Sequence, residues 1–195
     1  ERLSRLVNQV LDMAKIESGH GEWHDTEVDL IALLRQAAQT VHELLRERGA
    51  ELVLDLPQSA PPLMADADRL MQVVLNLLSN AAKFVPAGRG RIELRLRVAP
   101  GTLTVEVQDN GPGVPAAQRA LIFEKFRQGG DAANRPQGTG LGLPISRQIV
   151  EHFGGRMELR PDTGQGACFA FTLPCPSNPA PTPPGAPTDA AGDNR

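Results

Sequence analysis

Asn76-Leu77-Leu78-Ser79-Asn80-Ala81-Ala82-Lys83 is the stretch on which the reading of this chain turns. On a helix, Asn76, Asn80 and Lys83 fall four and three positions apart and share one face. Leu70, Val73, Val74, Leu77, Leu78 and Ala81 form the apolar stripe that an amphipathic helix turns to a core. Two asparagines in a helix interior cost propensity against Ala or Leu. They also supply chemistry. An Asn oxygen is a neutral, hard ligand suited to Mg²⁺, and a lysine one turn on is a point charge for the phosphates that Mg²⁺ accompanies. The same residues also describe a solvated polar edge, and the helix taken alone favours that plainer reading.

The composition bounds the rest. The 195-residue chain is 41% hydrophobic and 22% charged, which suits one globular domain with appendages. A net charge of −3 gives no basic field to gather nucleic acid, and one Trp, six Phe and no Tyr give little for bases to stack on. Cys168 and Cys175 make no framework and read as two reduced thiols in a cytosolic setting. No apolar run is long enough to cross a bilayer, and nothing at the start resembles a signal peptide. The first residue is not Met, so the chain reads as a piece of a longer protein. The expected location of this piece is cytoplasmic, with a membrane-anchored parent left open.

Outward from the helix, Asp66 is placed to cap it. Arg91–Val98 alternates, with Ile92, Leu94, Leu96 and Val98 on one side and Arg91, Glu93, Arg95 and Arg97 on the other. Thr102–Gln108 alternates through Leu103, Val105 and Val107, and Ala99-Pro100-Gly101 turns between the two, predicting a hairpin. Strands apolar on one side imply a sheet with one wet face, and helices then cover the other, giving a two-layer α/β sandwich. Further helices are predicted over Leu30–Arg48, stopped by Gly49, and over Leu141–Phe153. Further strands are predicted near Glu27–Val28 and over Glu51–Leu56, Arg156–Arg160 and Ala167–Leu173.

Three regions follow. Residues 23–174 form the domain. In residues 1–19, Leu3, Leu6, Val10 and Met13 recur at the spacing of a helical seam, broadened by Val7, Leu11 and Ala14. One helix this short is marginal alone, so a bundle or a dimer is expected. Residues 175–195 turn to Pro, Ala, Gly, Thr and Asn and predict a disordered tail or linker.

Two more motifs carry chemistry. Asp109-Asn110-Gly111-Pro112-Gly113 closes the second hairpin strand. A carboxylate there can accept a hydrogen bond from an exocyclic amine, and the glycines let backbone approach a flat ligand; Asp-Asn-Gly is equally a common turn. Gly138-Thr139-Gly140-Leu141-Gly142-Leu143 opens a helix, and glycines there leave N–H donors at the positive end of the helix dipole, which suits a polyphosphate. It lacks both the preceding strand of a Rossmann fingerprint and the Gly-Lys-Ser/Thr of a P-loop. Phe123-Glu124-Lys125-Phe126 precedes a segment, Gly129–Gln137, with few apolar groups, and its two rings can anchor that segment or serve as core.

In this order the motifs resemble the catalytic and ATP-binding domain of sensor histidine kinases, in the ATPase group that includes gyrase B, heat-shock protein 90 and MutL. Asn76–Phe84 is similar to the N box, Asp109–Gly113 to the first glycine box, Phe123–Phe126 to the F box and Gly138–Leu143 to the second glycine box. Gly164-Gln165-Gly166 with Phe169, Phe171, Leu173 and Pro174 resembles the closing segment. The resemblance implies a mixed sheet covered by helices on one face, the Bergerat-type ATP-binding fold. It implies Asn80 on Mg²⁺ with Asn76 beside it, and Lys83 on the phosphates. Asp109 would take the adenine amino group, with Gly111, Gly113 and Phe123 about the pocket. Gly138, Thr139, Gly140, Leu141 and Gly142 would hold phosphates through backbone N–H groups. Gly129–Gln137 would be a lid, with Arg135 near the γ-phosphate.

Residues 1–19 resemble the second helix of a dimerisation and phosphoacceptor domain. The phosphoacceptor histidine box is missing, and His20, His24, His42 and His152 lack its surroundings. The resemblance therefore implies ATP–Mg²⁺ binding and delivery of the γ-phosphoryl group to a histidine outside this chain. The implied partners are the dimerisation/phosphoacceptor domain of the parent, a response-regulator receiver domain and a second copy, joined through helices that this chain lacks. Ala167 departs from relatives that carry Ser or Thr near the closing strand. The alternative in the same group is an ATP hydrolase or clamp, whose members place a water-activating Glu where this chain has Asn76. An anti-sigma serine kinase of the same fold is a further rival, opposed by the dimerisation-like helix.

Overall fold

The computed structural model describes residues 22–125, 139–161 and 166–176, together with 10, 11 and 14. Val10, Leu11 and Ala14 are helical, as the seam predicts, and Val10 and Leu11 are exposed. The other residues of 1–21, the predicted lid, Gly164 and Gln165 of the closing segment, and residues 177–195 of the Pro-rich tail lie outside the described residues.

The elements are β1 (Asp25–Val28), α1 (Leu30–Arg48), β2 (Ala50–Asp55), β3 (Leu63–Asp66), α2 (Ala67–Phe84), β4 (Gly90–Ala99), β5 (Thr102–Asp109), a 3-10 turn (Ala116–Gln118), α3 (Gly142–His152), β6 (Arg156–Leu159) and β7 (Cys168–Pro174). Five strands form a mixed sheet in the order β2-β4-β5-β7-β6. β2 runs parallel to β4, and the other neighbours are antiparallel. The predicted hairpin is β4–β5, with Leu94 opposite Val107 and Leu96 opposite Val105.

The side-chain period of two fixes which face is dry. Ile92, Leu94, Leu96, Leu103, Val105, Val107, Phe169, Phe171 and Leu173 are buried under the helices. The stripe read from sequence on α2 is the helix side of that core: Leu70, Val73, Val74, Leu77, Leu78 and Ala81 are all buried. The opposite face carries paired charges. Glu106 sits between Arg95 at 3.7 Å and Arg160 at 3.3 Å, Arg95 also pairs with Glu93, and Arg97 reaches Asp55 at 2.7 Å. Cys168 is buried on β7 with its thiol free, and Cys175, also free, is half-buried.

One strand, β3, was not legible. β3 pairs antiparallel with β1, Val28 opposite Leu63 and Asp25 opposite Asp66, as a separate two-stranded sheet. Leu63 and Ala65 are buried while Met64 is exposed, so the strand alternates. It is hidden in the sequence because no turn divides it from α2. Asp66 is at once the last strand residue and the N-cap, its Oδ1 accepting from the Arg69 N–H at 3.1 Å. Among the described residues no helix is long and apolar enough to cross a membrane.

Candidate functional site

The site is strung along α2. Asp66 starts this helix, its apolar stripe fixes its rotation on the sheet, and Asn76 and Asn80 are left half-buried with Lys83 exposed in the last turn. Asn76, on that predicted face, meets α3, and the last residue of the helix, Phe84, reaches the β5 end.

Asn76 marks the first meeting. Its Nδ2 donates to Ser146 Oγ at 2.8 Å, and Ser146 is almost wholly buried on α3. Its Oδ1 lies so close to Gly142 that a β-carbon there would overlap it. The first residue of α3 is therefore a glycine because α2 passes directly beneath it.

The second meeting is two turns on. Gly111 lies between Phe84 and Asp109, and a β-carbon on it would sit 2.8 Å from both the Phe84 carbonyl oxygen and Asp109 Oδ1. Asn80 is one turn before Phe84 on α2, so the last turn of this helix is the part that approaches Asp109.

Asp109 ends β5 and is only 5% exposed. Its Oδ1 accepts from the Gly111 N–H at 2.8 Å and from the Ala167 N–H at 3.2 Å. Burial pushes its carboxyl above the usual carboxylate range, and the two backbone donors pull it part of the way back. Gly166, at φ +78°, presses so closely on the Asp109 carbonyl that no side chain fits. Gly113 turns at φ +75° and faces the Gly166 carbonyl. A cleft of about 380 Å³ opens beside this turn, lined by Gly111, Gly113, Gly166 and Ala167 and walled by Arg119 and Arg160.

α3 supplies the remaining wall. α1 and α2 carry Asp caps at Asp29 and Asp66, whereas no side-chain hydrogen bond caps α3 at Leu141. Its first N–H groups and its positive dipole end therefore face the space beside Asn76. Gly140 turns into it at φ +71°. The Leu141 side chain is fully buried, so only its backbone is available, and its N–H leans on Thr139 Oγ1 at 3.4 Å. Phe123 packs edge-on against Phe169 with centroids 6.4 Å apart, and the Arg147 guanidinium lies 5.6 Å from its ring centre. These contacts join Phe123 to the core, and the segment it was expected to anchor lies outside the described residues.

Of the expected residues, the structure brings Asn76 against Gly142, and Asp109 against Gly111 with Gly113 beside Gly166. Gly138, Arg135 and Phe126 lie outside the described residues. Ser146 and Ala167 were not expected to contribute. Ser146 has no motif around it, although its position four after Gly142 puts it on the same helix face. Ala167 contributes through its N–H, which any residue there except proline would offer, so the lack of a Ser or Thr hydroxyl leaves the contact to Asp109 intact.

Comparison with known proteins agrees with this geometry. The family described as Histidine kinase-, DNA gyrase B-, and HSP90-like ATPase matches residues 65–177, more than half of the chain. The adaptive-response sensory kinase SasA of Crocosphaera subtropica is 36% identical over 174 residues, covering 88% of this chain and 45% of that protein. The sensor histidine kinase AruS of Pseudomonas aeruginosa is 39% identical over 182 residues, covering 89% of this chain and 18% of that protein. The fold superposes on full-length ShkA, solved in complex with AMPPNP, with a TM-score of 0.78 and 34% identity, over 91% of this chain and 36% of that one. The chain thus spans less than half the length of each of these relatives. Motif order, the α2–β5–α3 geometry and these likenesses agree that the chain belongs to the histidine kinase-, DNA gyrase B- and HSP90-like ATPase family, as a kinase-type catalytic ATP-binding domain.

Proposed function

We propose that this domain binds ATP with Mg²⁺ and delivers the γ-phosphoryl group to a histidine on a dimerisation/phosphoacceptor domain, from which a response-regulator receiver domain takes it. The observation that carries this reading is the Asp109 carboxylate, buried with one oxygen pinned by two backbone donors beside Gly111, which in turn packs against Phe84 at the end of α2. A carboxylate held in that way is a fixed acceptor for the adenine amino group. Asn80 would hold Mg²⁺ through one amide oxygen, with phosphate and water oxygens completing the shell, as this cation prefers. Mg²⁺, when bound, offsets the charge of the phosphates. Lys83 and the N–H groups of Gly138–Gly142 would hold the phosphate oxygens, and Arg135 would stabilise charge on the transferring group.

The chemistry asked of this chain is positioning. A histidine nitrogen attacks the γ-phosphorus, the bond from phosphorus to the bridging oxygen breaks, and ADP leaves. The chain aligns the nucleotide for that attack. The hydrolase or clamp reading needs a base to activate water. Asn76 stands where that carboxylate would be, and its amide is neutral and committed to Ser146, so hydrolysis by this route is not supported. Homodimerisation through helices outside this chain and a cytoplasmic setting, where ATP is supplied, complete the proposal.

The test separates binding from transfer. A fluorescent ATP analogue is titrated with and without Mg²⁺, and labelled ATP is then supplied with an acceptor domain carrying a histidine. The expected result is saturable binding tightened by Mg²⁺, with label appearing on the acceptor histidine. Absence of binding overturns the reading, and brisk phosphate release without an acceptor favours the hydrolase.

A further inference from the structure

Away from the Asn76–Gly142 contact, an aromatic cluster joins the start of α2 to the end of α3. The Trp23 ring stacks on His152, centroids 3.6 Å apart and planes 8° from parallel. It meets Phe153 edge-on at 5.4 Å, and the Arg69 guanidinium lies 5.9 Å from its centre. The next residue is tied down as well, the His24 N–H donating to Asp66 Oδ2 at 3.0 Å.

Each partner has a defined place. His152 is the last residue of α3, about 15 Å along the helix from Gly142 at ten residues' rise. Arg69 lies in the first turn of α2, about 10 Å before Asn76 by the same rise. Asp66 is the α2 N-cap, and burial works against its charge, while the His24, Arg69 and Asp68 N–H groups together with the Arg69 charge hold its carboxyl below the usual value. Trp23 and His24 therefore fasten the start of α2 to the end of α3, and those helices meet again at Asn76, Gly142 and Ser146. A helix is stiff along its axis, so a shift at one end tilts the other. In sequence, Trp23 also comes four residues after Gly19, the last residue of the stretch that resembles a dimerisation helix.

We infer that Trp23 is a positioning residue for the nucleotide site, its stack on His152 setting the relative pose of α2 and α3 and so coupling the segment that precedes the domain to nucleotide affinity. This rests on the nucleotide-binding reading above. Nothing in the role requires Trp23 to touch ATP. Coupling of this kind commonly amounts to a five-fold or larger change in affinity.

Trp23 is the only tryptophan in the chain, so it reports on itself. AMPPNP with Mg²⁺ is titrated into the wild-type chain while indole emission is followed, and binding is measured in parallel by equilibrium dialysis. Emission is expected to change with a midpoint equal to the dialysis constant. Trp23→Ala and His152→Ala are each expected to weaken nucleotide binding about five-fold or more, and Trp23→Phe, which keeps a stacking ring, to restore most of it. Emission that stays flat at saturation, or a Trp23→Ala chain that folds and binds as tightly as wild type, overturns the inference. Should Trp23→Ala not fold, the wild-type emission titration decides alone. If dialysis finds no binding to the wild type, the reading of the site itself fails and the coupling falls with it.

Discussion

Asp109 and Ala167 are 58 residues apart in sequence and bond to each other in both directions: the Ala167 N–H donates to Asp109 Oδ1 at 3.2 Å, and the Asp109 N–H donates to the Ala167 carbonyl at 2.9 Å. This exchange extends the β5–β7 ladder by one step past its last strand pair, Gln108–Cys168. It fixes the carboxylate on the sheet. The fixed geometry carries an electrostatic cost, because burial raises the carboxyl above its usual range.

Asp109→Asn separates the two consequences. An asparagine oxygen still accepts from Gly111 and Ala167, so the fold keeps its contacts. It no longer offers a charged acceptor for the adenine amine, and a hydrogen bond to a charged group is worth about 1.5–3 kcal/mol. Nucleotide affinity should fall by that amount. The folded pKa is raised, so the contribution of Asp109 to stability is full below its unfolded pKa and is lost as pH rises through the folded one. At neutral pH the nucleotide-free variant should therefore melt no lower than wild type, and any advantage should shrink on acidification. Thermal scans over a pH series with parallel nucleotide titrations check both. Unchanged affinity would remove Asp109 from the base-recognition role.

Gly166→Ala attacks the same contact from the other strand. A left-handed backbone costs a residue with a β-carbon about 1–2 kcal/mol. Here the added carbon would also overlap the Asp109 carbonyl. The loop before β7 must retreat, taking the Ala167 N–H with it. Stability should fall by more than the backbone cost alone, and nucleotide binding should weaken with it. Denaturant unfolding and nucleotide titration of the variant read the two effects. A variant matching wild type in both would show that the Asp109 carboxylate does not depend on this approach.

What the sequence revealed here was local and periodic. The α2 stripe, the β4–β5 alternation and the Asp66 cap each repeat at a spacing that one segment displays by itself, and all three hold in the structure. The motifs also gave the order of the site along the chain. What stayed hidden was pairing across distance. Parallel pairing of β2 with β4 leaves no mark on either strand, since Leu52 and Leu54 would alternate the same way beside any neighbour. Ser146 looks like any serine on an amphipathic helix until α2 brings Asn76 within 2.8 Å. Trp23 precedes the first strand with no periodic context, and only the fold sets its ring on His152.

Asn80→Ala tests the cation assignment apart from the base. The residue is half-buried and bears no part of the α2 stripe, so truncation should leave the fold nearly intact. Mg²⁺ brings its own phosphate and water ligands, so a lost amide oxygen weakens the complex without abolishing it. The expected signature is a selective one: affinity measured without Mg²⁺ stays near wild type, while the gain on adding Mg²⁺ shrinks or disappears. Equal loss in both conditions would place Asn80 on the nucleotide and not on the cation.

Gly142→Ala is the sharpest check on how α2 and α3 lock together, because two effects oppose each other. At an ordinary helical position alanine is better than glycine by about 1 kcal/mol. At Gly142 the added carbon would overlap Asn76 Oδ1 and come within 2.9 Å of its Cγ and Nδ2. Asn76 must swing away and release Ser146, whose hydroxyl is then buried without a partner, at about 1–3 kcal/mol. The second effect should prevail, so Gly142→Ala should destabilise despite its better propensity. In an Asn76→Ala background the obstacle is gone, and the same substitution should become neutral or stabilising. Unfolding free energies of the four chains close the cycle, with a coupling above about 0.5 kcal/mol expected for residues in contact. Simple additivity would mean that Gly142 is small for another reason, such as room for a phosphate oxygen, and nucleotide affinity of Gly142→Ala in the Asn76→Ala background would then fall with no loss of stability.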